Sequence, residues 1–209
     1  PTPDWWPEPG APDPRGAVVL KSAWDHGSVG LDEEAVAQVA SPEELAGRLR
    51  GLAAARRCQV FAERYIEGRE FNLSLLAGPD GPRVLPPAEI RFLDYAQGKP
   101  RVVGYRAKWQ ADSFEYSHTP RTFEFPQSDG PLLARLADLA LRCWDVFGLR
   151  GYARVDFRVD EQGGPWILEV NVNPCLTPDA GFAAAVDRGR LSYAQAVERI
   201  LADAFRPVA

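Results

Sequence analysis

Long apolar runs are missing from this sequence of 209 residues. Nothing in it approaches the roughly 20 residues that a membrane-spanning helix needs, which excludes a membrane partner of that kind. Cysteine is scarce. Cys58, Cys143 and Cys175 form an odd set without C-x-x-C spacing, which speaks against a disulfide framework and a zinc site and points to a reducing, cytoplasmic setting. The two histidines, His26 and His118, have neither a nearby nucleophile nor a ligand spacing and read as surface residues. A basic stripe is also lacking, since 24 Lys and Arg are interspersed among 29 Asp and Glu for a net charge of -5. Nucleic acid is therefore excluded as a partner. The first 16 residues are rich in proline and acidic groups, unlike a secretory signal, and read as an extended linker or an edge segment.

What is present is a soluble α/β pattern, 45% hydrophobic, with enough material for one large domain or two small ones. A short strand over residues 17–20 leads through Lys21 into the loop SAWDHGSVG. Ser41, Pro42 and Glu44 form a capping box with proline at the first helical position, and Leu45, Leu49, Leu52 and Ala53 fall on one helical face. Strands follow over residues 59–66 and 70–77. The aromatic, proline-punctuated stretch 90–126 has no sustained period and reads as irregular strands and long loops. Pro131 opens a helix with an apolar stripe from Leu132 to Phe147, closed by Gly148. A hairpin over residues 152–160 and 165–172 precedes two helices, 179–188 and 192–205, the second with a capping box at Ser192 and Gln195.

The hairpin carries the most chemistry. Alternation places Ala153, Val155, Phe157 and Val159 on one face and Arg154, Asp156, Arg158 and Asp160 on the other. A four-residue loop pairs Asp160 with Pro165, Asp156 with Glu169 and Arg154 with Asn171, leaving the apolar Ile167 on the face of Glu169. Opposed carboxylates repel unless something neutralises them. On the residues alone, a solvated face with Arg154 and Arg158 as counter-ions is an equal reading. The small residues of the loop Asp25, His26, Gly27, Ser28, Val29 and Gly30 let backbone N–H groups approach a phosphate, although such a glycine loop is by itself most often an ordinary turn. Cys143 lies on an apolar helix stripe and Cys175 has no adjacent base, so packing is the reading for both.

Taken in order, the lysine and glycine loop, VFAERYIEGREF, AKW, ARVDFRVD and LEVNVNP resemble the D-alanine:D-alanine ligase branch of the ATP-grasp superfamily from Ala17 onward. The resemblance implies an α/β fold of antiparallel sheets with packed helices. It also implies ATP and Mg2+ as cofactors, and ligation of an amino acid or peptide carboxylate to an amine through an acyl phosphate. Lys21 then matches a lysine on the phosphates, and Gly27, Ser28 and Gly30 the loop that covers them. Glu63, Arg64, Tyr65 and Ile66 match the strand whose main chain reads adenine, and Glu70 the ribose ligand. Lys108 matches a lysine on the terminal phosphate, Arg154 the arginine that stabilises the developing oxyanion, and Asp156, Glu169 and Asn171 the magnesium ligands.

The departures from that pattern carry expectations of their own. The family has an N-terminal domain and the front of a central domain before this point, so residues 17–66 are expected to be a partial central subdomain and 67–209 the C-terminal catalytic subdomain. A homodimer or a separate N-terminal portion is among the expected partners. Cys175 stands where relatives have glycine and Ala180 where a serine holds the second D-alanine, which argues against D-alanine as second substrate. Arg158 stands where an apolar residue usually lies under the base. Small amino acids or peptides are the implied partners, and a non-catalytic nucleotide-binding or scaffolding module is the competing reading.

Overall fold

The structure is a computed structural model that describes residues 1–7, 10–25, 28 and 30–205. In chain order the elements are β1 (Trp5–Trp6), β2 (Gly16–Ser22), β3 (Val36–Val39), α1 (Pro42–Arg56), β4 (Val60–Arg64), β5 (Arg69–Leu76), β6 (Arg83–Val84) and β7 (Ala88–Ile90). They continue with α2 (Tyr105–Trp109), α3 (Phe114–Ser117), β8 (Arg121–Thr122), α4 (Gly130–Val146), β9 (Tyr152–Val159), β10 (Pro165–Asn171), α5 (Gly181–Arg188) and α6 (Tyr193–Ala204). Contacts divide the chain into two compact units. The N-terminal unit is Thr2–Glu67 with Arg91–Pro120, and the C-terminal unit is Pro1, Gly68–Ile90 and the chain from Arg121 on. The excursion 91–120 thus packs with the earlier residues. Among the described residues no helix is long and apolar enough to cross a membrane.

In the N-terminal unit a four-stranded antiparallel sheet runs β1-β4-β2-β3. The proline-rich start supplies its edge strand: Trp5 pairs with Glu63, and Trp6 is buried with its indole N–H on the Pro12 carbonyl at 2.8 Å. Val18, Leu20, Ala37, Val39 and Ala62 form a core with Leu45, against which Leu49 and Leu52 of α1 pack. Ser41 caps α1 by accepting from Glu44 N–H at 3.2 Å, an interaction that contributes about 1 kcal/mol. The reciprocal half of the expected box is displaced by one residue, because the Glu44 carboxylate accepts from Ala40 N–H at 2.9 Å.

In the C-terminal unit the main sheet runs β10-β9-β5-β7-β8, with β6 beside β5. Phe71, Leu73, Leu75, Val155, Phe157 and Val159 project from one face into a core with Leu136, Ala140, Cys143 and Trp144 of α4. Gly148 ends α4 in the left-handed region at φ 57, and the N–H groups of Gly148 and Leu149 bond the carbonyls of Asp145 and Trp144. The helices α5 and α6 cover a second cluster built on Leu76, Leu85, Phe182 and Val186.

Two expectations need correction. The excursion 91–120 is not only loop and strand, because it holds the short helices α2 and α3, the latter capped by Ser113 at 3.1 Å. The hairpin register also differs near its turn, where Pro165 pairs with Val159 rather than Asp160. Asp160 is drawn into the turn instead: its carboxylate accepts from Gly164 N–H at 2.7 Å, Gln162 N–H at 3.0 Å and the Trp166 indole at 2.8 Å. A bulge between Ile167 and Glu169 then inserts one residue and restores the expected pairs Asp156 with Glu169 and Arg154 with Asn171. The same bulge moves Ile167 opposite Phe157, on the core side, and removes the apolar residue that simple alternation left among the polar ones.

Candidate active site

The N-terminal unit holds most of the described residues expected at a nucleotide, and the C-terminal unit holds Glu70. Lys21, on β2, forms an ion pair with Glu63 of the neighbouring β4, so the expected phosphate lysine has a carboxylate partner here. Gly27 lies outside the described residues. Ser28 is left-handed at φ 62 and donates its hydroxyl to the Val103 carbonyl at 3.0 Å, while Gly30 is left-handed at φ 66 and its carbonyl accepts from Arg56 at 2.8 Å. Any side chain at Gly30 would meet the Arg56 guanidinium.

Arg64 spends its side chain on Asp4 at 2.9 Å, with the guanidinium 5.7 Å above the Trp6 ring. Tyr65 N–H bonds the Ala17 carbonyl at 2.9 Å, its hydroxyl accepts from Arg101 N–H at 2.9 Å, and Ile66 follows the strand. Lys108 is half-buried on α2 and makes no ion pair among the described residues.

In the C-terminal unit the registers of β5, β9 and β10 assemble nine side chains into three rows on one face. Glu70, Arg158 and Trp166 form the first row, Asn72, Asp156 and Glu169 the second, Ser74, Arg154 and Asn171 the third. Four charges in this face form two pairs, Arg158 with Glu70 and Arg154 with Asp156. Arg158 is buried and donates to Glu70 at 2.8 Å and to the Gly68 carbonyl at 2.9 Å, so the expected ribose ligand is held by a guanidinium. Arg154 grips Asp156 with two parallel bonds of 2.7 and 2.8 Å, and Asn72 adds a third at 2.8 Å. The Asp156 carboxylate raises the already high pKa of Arg154, against the opposing effect of burial, so Arg154 is a permanent cation. Asn171 accepts from Asn173 N–H at 2.9 Å through its side-chain oxygen.

The donor set opposite Asp156 suits a hard divalent cation. Two carboxylates face each other across adjacent strands with an amide oxygen one row away, and like charges so placed need a neutralising partner. Among the described residues no three His, Cys, Asp or Glu side chains are grouped to hold a metal alone, so such a cation would draw its remaining ligands from phosphate oxygens and water. Arg154 fills the neutralising role in this state.

Alternation along Glu70, Asn72 and Ser74 is the signal by which Asn72 and Ser74 were legible in the sequence; both escaped the reading of the hairpin alone. The ion cluster of Lys99, Glu33 and Glu115 left no such signal, because its members come from loops far apart in sequence.

After the second hairpin strand, Cys175 is exposed with its sulfur 3.2 Å from the Thr177 hydroxyl, and the Leu176 carbonyl accepts from the Tyr193 hydroxyl at 2.8 Å. Ala180 precedes α5 and provides no side-chain cap.

Comparison with known proteins gives these observations a frame. The family profile described as D-ala D-ala ligase C-terminus matches residues 17–202. The D-alanine–D-alanine ligase of Synechococcus sp. (strain JA-2-3B'a(2-13)) is 32% identical over 99% of this chain and 60% of its own length. That of Pseudomonas entomophila is 32% identical over 95% and 61%. Among solved structures, the D-alanine–D-alanine ligase from Bacillus anthracis complexed with ATP has a similar fold, with a TM-score of 0.66 at 22% identity over 98% of this chain and 60% of that one. The VanG D-Ala:D-Ser ligase from Enterococcus faecalis gives 0.61 at 19% identity, over 90% and 49%. The chain spans about 60% of the length of the curated relatives it matches. The architecture is the α/β ATP-grasp type, and the chain belongs to the family of the C-terminal part of D-alanine–D-alanine ligases.

Proposed function

We propose that this chain is the nucleotide-binding, catalytic part of an ATP- and Mg2+-dependent carboxylate-amine ligase that joins amino acids or peptides. The observation that carries the reading is the row arrangement in which Arg154, Asp156, Glu169 and Asn171 share one face of two adjacent strands. Family membership supports the same activity. In this reading a substrate carboxylate oxygen bonds to the terminal phosphorus of ATP as the bond to the bridging oxygen breaks and ADP leaves. The amine nitrogen of the second substrate then attacks the acyl carbon, the carbon–oxygen bond to phosphate breaks, and inorganic phosphate and a proton depart. Mg2+ would supply charge neutralisation at the phosphates. The residues position and neutralise: Lys21, Ser28, Gly30 and Lys108 take the phosphates, with Gly27 of the same loop. The main chain of Glu63, Arg64, Tyr65 and Ile66 takes the base, Glu70 the ribose, and Arg154 the oxyanion. Asp156, Glu169 and Asn171 would hold the metal.

Titration of the chain with ATP in the presence of Mg2+, followed by calorimetry, tests this. Saturable binding that weakens in Lys21→Ala and in Lys108→Ala is expected. Unchanged affinity in both variants would remove the nucleotide from these residues. The acceptor end is proposed to be less polar than in a D-alanine ligase, since Cys175, Leu176 and Ala180 offer few donors there. Assayed by ADP release against a panel of amino acids, the enzyme should not prefer D-alanine.

A further inference from the structure

The excursion 91–120 is closed at its base by two backbone bonds, Arg91 N–H to the Pro120 carbonyl and Leu93 N–H to the His118 carbonyl, both 2.9 Å. Between them it carries α2, and α2 is fastened to the segment that follows the glycine loop. Tyr105 N–H bonds the Leu31 carbonyl at 2.8 Å and Arg106 N–H the Asp32 carboxylate at 3.2 Å. The backbones approach so closely that a Cβ on Gly104 would strike the Leu31 carbonyl and lie 2.9 Å from the Asp32 carboxylate. Gly104 has φ -79, which any residue adopts, so the need for glycine here is steric contact and not backbone conformation.

One ion cluster locks this junction. The Lys99 ammonium, only 19% exposed, lies 2.9 Å from Glu33 and 2.9 Å from Glu115 and faces the rings of Tyr95 and Phe114 at 4.9 and 4.3 Å. Arg106, on α2 itself, reaches the second Glu115 oxygen at 3.3 Å. Glu33 belongs to the turn directly after the loop, Lys99 to the strap before α2, and Glu115 to α3, so the cluster joins three segments that share no strand pairing. A cation held by two carboxylates and two rings fixes its partners more narrowly than an exposed pair does.

We propose that Lys99, Glu33 and Glu115, with Gly104 at the contact, are positioning residues for Lys108, seating its helix on residues 31–33 so that the lysine meets a polyphosphate in a preset position. This rests on the nucleotide reading above. Neither the ion cluster nor Gly104 touches the nucleotide; both act through Lys108.

The test is a pair of double-mutant cycles on the 209-residue chain, Lys99→Met with Lys108→Ala and Gly104→Ala with Lys108→Ala, reading affinity for ATP with Mg2+ by calorimetry. Lys99→Met and Gly104→Ala should each weaken binding about tenfold in the parent and hardly at all once Lys108 is alanine, since coupled residues are not additive. A purely structural role gives equal losses in both backgrounds and overturns the proposal. Hydrogen exchange without nucleotide supplies a second readout. In the milder Glu33→Gln, amides of residues 104–110 and 30–35 should exchange faster together, and acceleration in only one segment also overturns it. If Lys108→Ala leaves affinity unchanged this inference falls, and the nucleotide reading falls with it when Lys21→Ala is also without effect. If Lys108→Ala weakens binding while Lys99→Met and Gly104→Ala do not, only this inference falls.

Discussion

The polar face of the C-terminal sheet and the excursion 91–120 of the N-terminal unit both hold charges in place, by different means. In the sheet, Glu70, Arg154, Asp156, Arg158 and Glu169 are set by strand register in three successive rows over a core of Phe71, Val155 and Phe157. In the excursion, Lys99, Glu33, Glu115 and Arg106 are set by one another and by a few loop hydrogen bonds. A strand-held charge is expensive to disturb because the backbone cannot follow it. A loop-held charge is cheap to disturb in global stability but sensitive in local geometry.

The largest effect should come from the buried pair in the sheet. Arg158→Met leaves the Glu70 carboxylate buried beside an apolar chain and should cost about 3–5 kcal/mol in chemical unfolding. A loss below 1 kcal/mol would erase the contrast drawn here. Next is Asp156→Asn. Opposed carboxylates taken alone predict a neutral or stabilising change, but the two-bond grip of Arg154 reverses the sign. Loss of about 2–3 kcal/mol is expected, less than for a fully buried pair because Glu169 remains nearby. Unfolding curves of the variant with and without Mg2+ measure it.

In the excursion Glu33→Gln should cost under about 1 kcal/mol, since Glu33 is 41% exposed, while still accelerating local exchange. The smallest effect sharpens the comparison by pH. Burial pushes the Glu115 carboxyl up, but the hydrogen bond from Lys99 and those from the backbone outweigh it and hold its pKa at about 2, below the ordinary 4.5. A depressed carboxyl stabilises the folded state above its unfolded pKa. The contribution is thus complete above about 4.5 and lost as pH falls toward 2. Lys99, Arg106 and Glu33 face this group, and Asp32 and Glu34 line the cavity beside it. Protection of residues 104–110 should fall between pH 4.5 and 3 in the parent and stay flat in Glu115→Gln.

How much of this was legible in the sequence follows the same division. Period-two alternation exposes a strand's polar face, so Arg154, Asp156, Glu169 and Asn171 could be placed together and the pairs of Asp156 with Glu169 and Arg154 with Asn171 anticipated. The bulge at Ile167 was not anticipated, because it depends on Asp160 being drawn into the turn by three donors that only the folded hairpin brings together. Capping signals located α1, α4 and α6, whose ends are determined locally by Ser41, Gly148 and Ser192. The helices α2 and α3 and the Lys99 cluster were missed for a common reason. They are shorter than a hydrophobic period can reveal and are stabilised by partners up to 82 residues away along the chain, as Glu33 and Glu115 are.

The claim on which the rest depends is that the face built from Asp156, Glu169 and Asn171 binds a divalent cation together with ATP. Calorimetric titration of the chain and of Asp156→Asn with ATP, with and without Mg2+, tests it most directly. The account predicts that Mg2+ strengthens ATP binding in the parent, that Mg2+ alone binds weakly, and that the strengthening disappears in Asp156→Asn while metal-free ATP binding persists. Equal Mg2+ strengthening in parent and variant would contradict it.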